Sequence, residues 1–198
     1  HLPLFQISSR NAPFDDSSWQ GYDQGNLTQT RCPHYKYMPN YSVRIAGDNL
    51  IYSAAHFILL PGGICEPLHG HNFRVAVELS GPLDEVDCVI DFLALLQIMK
   101  SIVAELDHAV LLPTRHPVIQ VLAGEDEVEV RFGPRRWVFP RAECRLLPVV
   151  STTAERMANY LAQRLLEILA ARGLARPPCV RIELEESPGC SVIFETPP

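Results

Sequence analysis

Three histidines and one cysteine fall between His56 and His71. His69 and His71 are two residues apart, so on a β-strand their side chains would point to the same face. His56, on a neighbouring strand, could lie beside them across the ladder. Three imidazoles without a fourth protein ligand are typical of a catalytic zinc site, which keeps one position for water or substrate. The spacing therefore predicts a Zn2+ site, although each histidine taken alone would more often be an ordinary polar residue at a strand end.

Cys65 lies four residues before His69, in the loop that follows Gly62 and Gly63. A thiol close to a divalent cation and imidazole rings has a depressed pKa, and its thiolate can act as a base or a nucleophile. A fourth zinc ligand and a buried, inert cysteine are the two alternatives. We predict a catalytic role for Cys65, with both alternatives open.

Two further pairs of titratable residues could contribute chemistry. Asp107 and His108 follow a predicted helix, where the helix dipole favours an imidazolium that can donate a proton. The same pair could simply form the turn that leaves the helix. Glu185 and Glu186 lie at the turn between the last two predicted strands. One carboxylate could accept two hydrogen bonds from a guanidine-like heterocycle edge, or both could belong to a solvated turn.

Composition is that of an ordinary globular protein, with 198 residues, 47% hydrophobic and 20% charged. The net charge of −6 argues against a nucleic acid partner, which would require a basic face. No apolar run approaches the roughly 20 residues that span a bilayer, so we expect no membrane partner. The six cysteines include no C-x-x-C pair, which favours reduced thiols and a cytoplasmic protein.

The elements that must position these residues begin after residue 37. Residues 1–37 show neither helical nor strand periodicity, which predicts an extended or poorly ordered N-terminal extension before a domain at 38–198. Alternation predicts a β-hairpin over 41–60 and a strand over 71–80. Residues 118–147 predict a β-hairpin within an insert at about 114–149, and two strands, 180–184 and 191–195, close the chain.

Apolar residues spaced by three and four predict two helices. Asp91 would cap the first, which ends at Leu106, and Thr152 or Thr153 would cap the second, which ends at Gly173. The order predicts an α+β domain: an antiparallel four-stranded sheet with two helices on one face, plus the inserted β-hairpin. Because two helices cover only one face, the sheet's other face and edges predict a homo-oligomer.

Six short motifs, taken in order, resemble the 6-pyruvoyltetrahydropterin synthase and 6-carboxytetrahydropterin synthase family. They are Y-S-A-A-H-F, C-E-P-L-H-G-H-N-F, V-I-D-F, E-L-D-H, T-T-A-E-R-M-A and I-E-L-E-E-S. The resemblance spans residues 41–113 and 150–195. It implies a T-fold, whose subunits join their sheets into a barrel and commonly assemble as a hexamer with active sites between subunits.

The resemblance also implies a role for each candidate residue. It implies that His56, His69 and His71 bind zinc, and that Cys65 acts as the catalytic base with Asp107 and His108 as a proton relay. It also implies that Thr152 and Thr153 contact the pterin through their backbone groups, and that Glu186 anchors the aminopyrimidine edge of the pterin. The implied substrate is 7,8-dihydroneopterin triphosphate.

The C-x-x-x-H-G-H spacing is similar to the carboxy-forming branch of the family, which supplies queuosine (deazapurine) synthesis. The expected enzyme is therefore a lyase that forms 6-carboxy-5,6,7,8-tetrahydropterin and releases acetaldehyde. A pyruvoyl-forming synthase that eliminates triphosphate is the alternative within the family. The insert at 114–149 is longer than the usual loop and motivates a second alternative, a zinc-containing pterin or purine binder with altered or lost activity. A purely structural zinc module is the third.

Overall fold

The computed structural model describes residues 41–197, so the predicted extension at 1–37 lies outside the described residues. Twelve strands, two α-helices and a short 3-10 helix make up this part of the chain. The strands are β1 (Tyr41–Ile45), β2 (Ile51–His56), β3 (Leu59–Leu60), β4 (Ile64–Cys65), β5 (His69–Gly81), β6 (Ala109–Pro113), β7 (Gln120–Ala123), β8 (Glu127–Phe132), β9 (Arg135–Pro140), β10 (Cys144–Leu147), β11 (Cys179–Ser187) and β12 (Cys190–Glu195). The helices are α1 (Phe92–Leu106), α2 (Ala154–Ala171) and the 3-10 helix Arg141–Glu143.

The large sheet has seven strands in the order β10-β6-β2-β5-β11-β12, and β1 pairs with β5 next to β2. Strands β2, β5, β11 and β12 pair with one another in antiparallel fashion and form the predicted four-stranded sheet. Strands β6 and β10 extend it in parallel fashion beyond β2, so the whole sheet is mixed. They do so because α1 carries the chain across one face and returns it to the sheet edge in the direction of β2.

The predicted hairpin over residues 41–60 is wrong, because β1 and β2 do not pair with each other. Both are antiparallel to β5: β2 pairs with its first half and β1 with its second half. Two strands antiparallel to the same partner run in the same direction. The turn at Gly47 therefore interrupts the pairing along β5 without reversing the chain, and Gly47 has a φ of +115° that suits glycine. The 13-residue length of β5 provides room for both short strands.

The two helices cover one face of the large sheet, as predicted. Asp91 caps α1, accepting a hydrogen bond from the backbone N–H of Leu93 at 2.9 Å. Thr153 precedes α2, and Gly173, with a φ of +70°, lies just beyond its end. Neither helix combines the length and apolarity needed to cross a membrane. Their buried faces pack on alternate sheet residues, including Tyr52, Ala54, Phe73, Val75, Val77, Leu79, Val180, Ile182 and Leu184.

The insert forms more than the predicted hairpin. Strands β7, β8 and β9 make a separate three-stranded antiparallel sheet, and β10 leaves it to join the large sheet beside β6. The alternation of β8 buries Val128 and Val130, which belong to an apolar cluster with residues from outside the insert. That second apolar cluster consists of Phe57, Cys65, Leu112, Ile119, Val128, Val130 and Cys144.

Candidate metal centre

The register of β2 and β5 brings the three predicted zinc ligands together. His56 lies opposite His69, and Ala54 lies opposite His71. The ring centroids of His56 and His69 are 4.8 Å apart, as are those of His69 and His71, and His56 and His71 are separated by 5.2 Å. One ligand nitrogen from each ring lies within 4.8 Å of the others. Strand alternation therefore produces the cluster that the H-x-H spacing predicts.

Hydrogen bonds to backbone carbonyls orient two of these rings. Nδ1 of His56 lies 2.9 Å from the carbonyl oxygen of Thr152, and Nδ1 of His69 lies 2.9 Å from that of Pro67. A carbonyl only accepts, so each Nδ1 carries the proton and each Nε2 keeps a free lone pair. Carbonyl oxygens that accept from the ring nitrogen away from the metal commonly fix the tautomer of metal-binding histidines in this way.

The Nε2 atom of His56 is buried and has no hydrogen-bond partner. The residue is 1% exposed, and this burial lowers the pKa of His56, which favours the neutral imidazole that binds metals. A buried polar atom without a partner is costly unless something else satisfies it. The site therefore fits a zinc ion held by imidazole nitrogens.

Glu186 places a carboxylate beside this cluster. Its Oε1 atom lies 3.3 Å from Nε2 of His56 and 4.0 Å from Nε2 of His71. It comes from β11, which borders β5 on the side away from β2. The sequence placed Glu186 at a turn and gave no signal that its carboxylate would reach the histidines, because the contact depends on strand pairing. Its predicted role as pterin anchor stays a prediction.

Two aromatic rings, those of Phe73 and Tyr52, lie next to the histidines and were not predicted from the sequence. The Phe73 ring meets His56 and His71 edge-on at 5.6 and 5.5 Å, and Tyr52 stacks on Phe73 at 4.8 Å. Burial, followed by the charge of Glu186, raises the pKa of Tyr52, so its hydroxyl stays protonated. Tyr52, Ala54 and His56 alternate along β2 and therefore share one face of the strand. The pattern of β2 could have identified Tyr52 as a neighbour of His56.

Cys65 lies in different surroundings. It pairs with Leu59 in the small sheet of β3 and β4, and it is 5% exposed. Its Sγ contacts the carbonyl oxygen of Glu66 at 3.4 Å, and its apolar neighbours include Phe57 and buried valines of the insert. Within residues 41–197, the group of potential metal ligands contains the three histidines and not this thiol. Its catalytic role stays a prediction.

Asp107 and His108 form a hydrogen-bonded pair. Oδ2 of Asp107 lies 2.8 Å from Nδ1 of His108, and Oδ1 accepts from the backbone N–H of Ser53 at 2.8 Å. The Ser53 N–H, followed by the His108 side chain, lowers the pKa of Asp107, which keeps the carboxylate ionised. His108 has a φ of +52°, rare for a residue with a side chain, and its side chain is 81% exposed.

The pair lies beside residues of the sheet face that does not bear the helices. His108 lines an open recess of about 410 Å³, which also reaches Ala54 and His71 and is bordered by Ser53, Ala55 and Asn72. On β2 and β5 these residues alternate with those that face the helices, such as Ala54 and His71. Strand alternation therefore points Ser53, Ala55 and Asn72, which adjoin the pair, away from the face of His69 and His71, while the recess itself borders both His108 and His71.

The two threonines lie behind the histidines, at the start of α2. Thr152 is buried, and its carbonyl oxygen accepts the His56 hydrogen bond. Its hydroxyl donates to the carbonyl oxygen of Phe57 at 3.2 Å. Thr153 directly precedes α2, and its backbone N–H donates to the Ser151 hydroxyl at 3.4 Å. Thr152 thus positions the His56 ring, whereas pterin contact by either threonine stays a prediction.

The fold and site define a T-fold protein with a three-histidine centre at the end of its sheet. The family model described as 6-pyruvoyl tetrahydropterin synthase matches residues 49–197. A Methanocaldococcus jannaschii protein provisionally named as a 6-carboxy-5,6,7,8-tetrahydropterin synthase is 30% identical over 141 residues, which cover 71% of this chain and 86% of that protein. The 6-carboxy-5,6,7,8-tetrahydropterin synthase of Aquifex aeolicus is 29% identical over 63% of this chain and 74% of its own length.

Solved structures agree with this assignment. The 6-pyruvoyl tetrahydropterin synthase of Plasmodium falciparum superposes with a TM-score of 0.71 at 25% identity, covering 80% of this chain and 99% of that one. The Plasmodium vivax enzyme superposes with the same TM-score at 24% identity and the same coverage. The chain therefore belongs to the 6-pyruvoyl tetrahydropterin synthase family, and it is a lyase of the pterin synthase type.

Proposed function

We propose that this chain is a zinc-dependent 6-carboxytetrahydropterin synthase. It would convert 7,8-dihydroneopterin triphosphate and water to 6-carboxy-5,6,7,8-tetrahydropterin, with release of triphosphate and acetaldehyde, and so supply queuosine (deazapurine) synthesis. The observation that carries the proposal is the cluster of imidazole nitrogens with the buried, unpartnered Nε2 of His56. The C-x-x-x-H-G-H spacing and the names of the relatives support the carboxy-forming branch.

The histidine cluster would hold the zinc ion. Carbonyl oxygens of Thr152 and Pro67 orient the rings of His56 and His69 for that purpose. Zinc bound there would polarise a side-chain oxygen of the substrate and lower the pKa of a hydroxyl group on it. Glu186, at 3.3 Å from His56, adds a negative charge at the same place and would contact the substrate, by resemblance at the aminopyrimidine edge.

Proton transfer would be divided between a thiol and an imidazole. Cys65, as a thiolate, would remove a proton from a side-chain carbon of the substrate. Asp107 accepts the Nδ1–H bond of His108, which orients the ring and leaves Nε2 of His108 to exchange a proton with a substrate oxygen. Thr152 and Thr153 would contact the pterin through backbone groups.

The position of Asp107 and His108 supports an active site shared between subunits. They adjoin Ser53 and Asn72, whose side chains alternate along their strands with those that bear the histidine cluster. They could therefore complete the site of a neighbouring subunit when sheets join edge to edge. A homo-oligomer, a hexamer by resemblance, is part of the proposal for this reason.

Product analysis tests the reaction. Zinc-loaded protein incubated with 7,8-dihydroneopterin triphosphate should yield 6-carboxytetrahydropterin and acetaldehyde, measured by mass spectrometry. A 6-pyruvoyl product would assign the chain to the sister branch. Pterin binding without turnover would support the binder with altered activity, which the burial of Cys65 beneath the insert favours as the second candidate.

Cysteine variants test the proposed base. Cys65→Ala should abolish turnover while zinc content stays at the wild-type level, because the thiol lies outside the histidine cluster. Cys190→Ala, which alters an exposed cysteine at the start of β12, is the matched control and should keep turnover. Full activity of Cys65→Ala would contradict the mechanism.

A further inference from the structure

A cavity of about 630 Å³ lies between α2 and the two ends of the insert. The insert contributes Arg115 from its first residues and the segment 148–150 from its last. These two ends are joined by hydrogen bonds from the backbone N–H of Thr114 to Leu147, at 2.9 Å, and from that of Arg115 to Val149, at 3.1 Å. The opposite wall is the polar stripe of α2. The insert therefore builds one wall of a cavity whose lining includes none of the three histidines.

The positive charges of this cavity are not balanced by its carboxylates. Arg164 donates to Glu167 at 2.6 Å and to Glu105 at 3.1 Å, so both acidic residues of the lining already have a cationic partner. Among residues 41–197, the guanidinium groups of Arg115 and Arg156 have neither an ion pair nor a side-chain hydrogen bond. Each guanidinium offers five N–H donors and no acceptor. Within the described part of the chain, the cavity thus contains two unpaired cations, and its three arginines exceed its two glutamates by one positive charge. The chain as a whole has a net charge of −6.

Neutral groups of α2 add further donors. The side-chain oxygen of Asn159 accepts from Gln163 at 3.4 Å, which leaves the two N–H donors of Asn159 free. Tyr160 is half-buried in the lining, and burial raises its pKa, so its hydroxyl keeps a proton. A concave surface with many donors and few free acceptors is suited to an anion.

We propose that this cavity is a second ligand site, which binds a small anion carrying several phosphate charges. The planar guanidinium group matches the oxygen geometry of phosphate groups. Arg115 and Arg156, which come from separate segments, would each bind one of two neighbouring phosphates. A volume of about 630 Å³ accommodates an oligophosphate with or without a nucleoside. Free oligophosphate and the phosphate tail of a nucleotide share this chemistry.

Calorimetric titration of the zinc-loaded full chain with inorganic tripolyphosphate tests the proposal. Binding should be saturable, and Arg115→Ala and Arg156→Ala should each weaken it at least about tenfold, the loss expected for one charge-assisted contact. Arg172→Ala, an exposed arginine at the end of α2 and outside the lining, is the control and should leave binding unchanged. Parallel titrations with ATP identify the source: tighter binding of ATP indicates a nucleotide, and equal binding indicates a free oligophosphate.

A variant of the three-histidine cluster separates this site from the metal centre. His69→Ala should lose zinc if the proposed function is correct, yet it should bind tripolyphosphate like the unmodified chain. Binding that disappears with His69→Ala but survives both arginine substitutions would place the anion at the metal centre and overturn the proposal. Absence of saturable binding by the zinc-loaded chain would overturn it as well.

Discussion

Residues 41–197 form two apolar clusters, and each holds a different part of the proposed chemistry. The large one lies between the helices and the seven-stranded sheet, and the histidines sit on the same face at its end. The small one lies beneath the insert and contains Cys65. Strand register alone fixes the histidines, whereas the thiol owes its surroundings to packing between distant segments. The metal ligands should therefore be insensitive to the insert, and the exposure of the thiol should depend on it.

The contacts of the insert support that difference. Trp137 stacks on Phe57 with ring centroids 4.8 Å apart and an angle of 18° between the rings. Nη1 of Arg135 donates to the carbonyl oxygen of Glu66 at 3.3 Å, next to Cys65. Both contacts hold the insert against the chain between His56 and His69, and neither touches a histidine of the cluster.

The largest effect should follow from removal of a metal ligand. His69→Ala should weaken zinc binding by more than about 100-fold, because removal of a group that only hydrogen-bonds a metal ligand already lowers metal affinity by about 10–100-fold. Turnover should be lost with the metal. Zinc content by elemental mass spectrometry and product formation measure the two effects. His116→Asn, which changes a histidine outside the cluster, is the control. Full zinc content in His69→Ala would contradict the assignment of the site.

Mixing subunits tests whether the two sheet faces cooperate. His69→Ala and His108→Ala should each be inactive alone, because one lacks the metal and the other the proton donor. A co-refolded equal mixture should regain about a quarter of wild-type activity. With random assembly, about one site in four receives an intact His69 from one subunit and an intact His108 from its neighbour. If the mixture stays inactive while wild-type chains refold to full activity, the site is not shared.

Removal of the stacked indole should affect the thiol and spare the metal. Trp137→Ala should destabilise the protein by about 3 kcal/mol through loss of aromatic packing, and alkylation of Cys65 by iodoacetamide should accelerate severalfold. Urea unfolding and peptide mass spectrometry measure these changes, and zinc content should stay constant. Trp137→Phe retains a stacked ring and should behave like wild type. Unchanged alkylation in Trp137→Ala would show that the insert does not cover the thiol.

The smallest effect concerns pH and the start of the insert. Nδ1 of His116 accepts hydrogen bonds from the backbone N–H groups of Val118 and Ile119 at 3.2 and 3.1 Å, which requires a neutral ring. Burial lowers the pKa of His116, so the unfolded chain binds the proton more readily. This stabilisation is present above the ordinary imidazole pKa of about 6.5 and is lost as pH falls through it.

A substitution that keeps the acceptor isolates this contribution. The pH dependence between 7.5 and 5.5 should be weaker in His116→Asn than in wild type by up to about 1 kcal/mol, because an amide oxygen accepts at any pH in this range. Urea unfolding at the two pH values measures the difference. Equal slopes in both proteins would exclude a contribution from this ring.

Local patterns predicted much of this structure. The three- and four-residue spacing gave both helices, and the H-x-H spacing together with alternation gave the shared face of His69 and His71. Pairing between distant strands was beyond reach, because alternation identifies a strand but not its partner. That limit explains the false hairpin of β1 and β2, the missed parallel strands β6 and β10, and the unforeseen approach of Glu186 to His56.

The environment of Cys65 could not be read from its neighbours in sequence. Its position after two glycines and before His69 favoured the metal centre, and the residues that enclose it come from the insert, some 60 positions away. The exposed, positive-φ conformation of His108 was equally hidden, since it follows from the backbone N–H of His108 donating to the Ser53 carbonyl at 2.6 Å. Residues in regular strands were predictable, and those fixed by contacts between segments were not.

X-ray absorption at the zinc edge of the purified, zinc-loaded protein tests the separation of the metal from the thiol most directly. Three imidazole nitrogens and one further light atom should surround the metal, with zinc–nitrogen distances of about 2.0–2.1 Å. A sulfur neighbour at about 2.3 Å would make Cys65 a fourth ligand and would contradict the division between the two clusters.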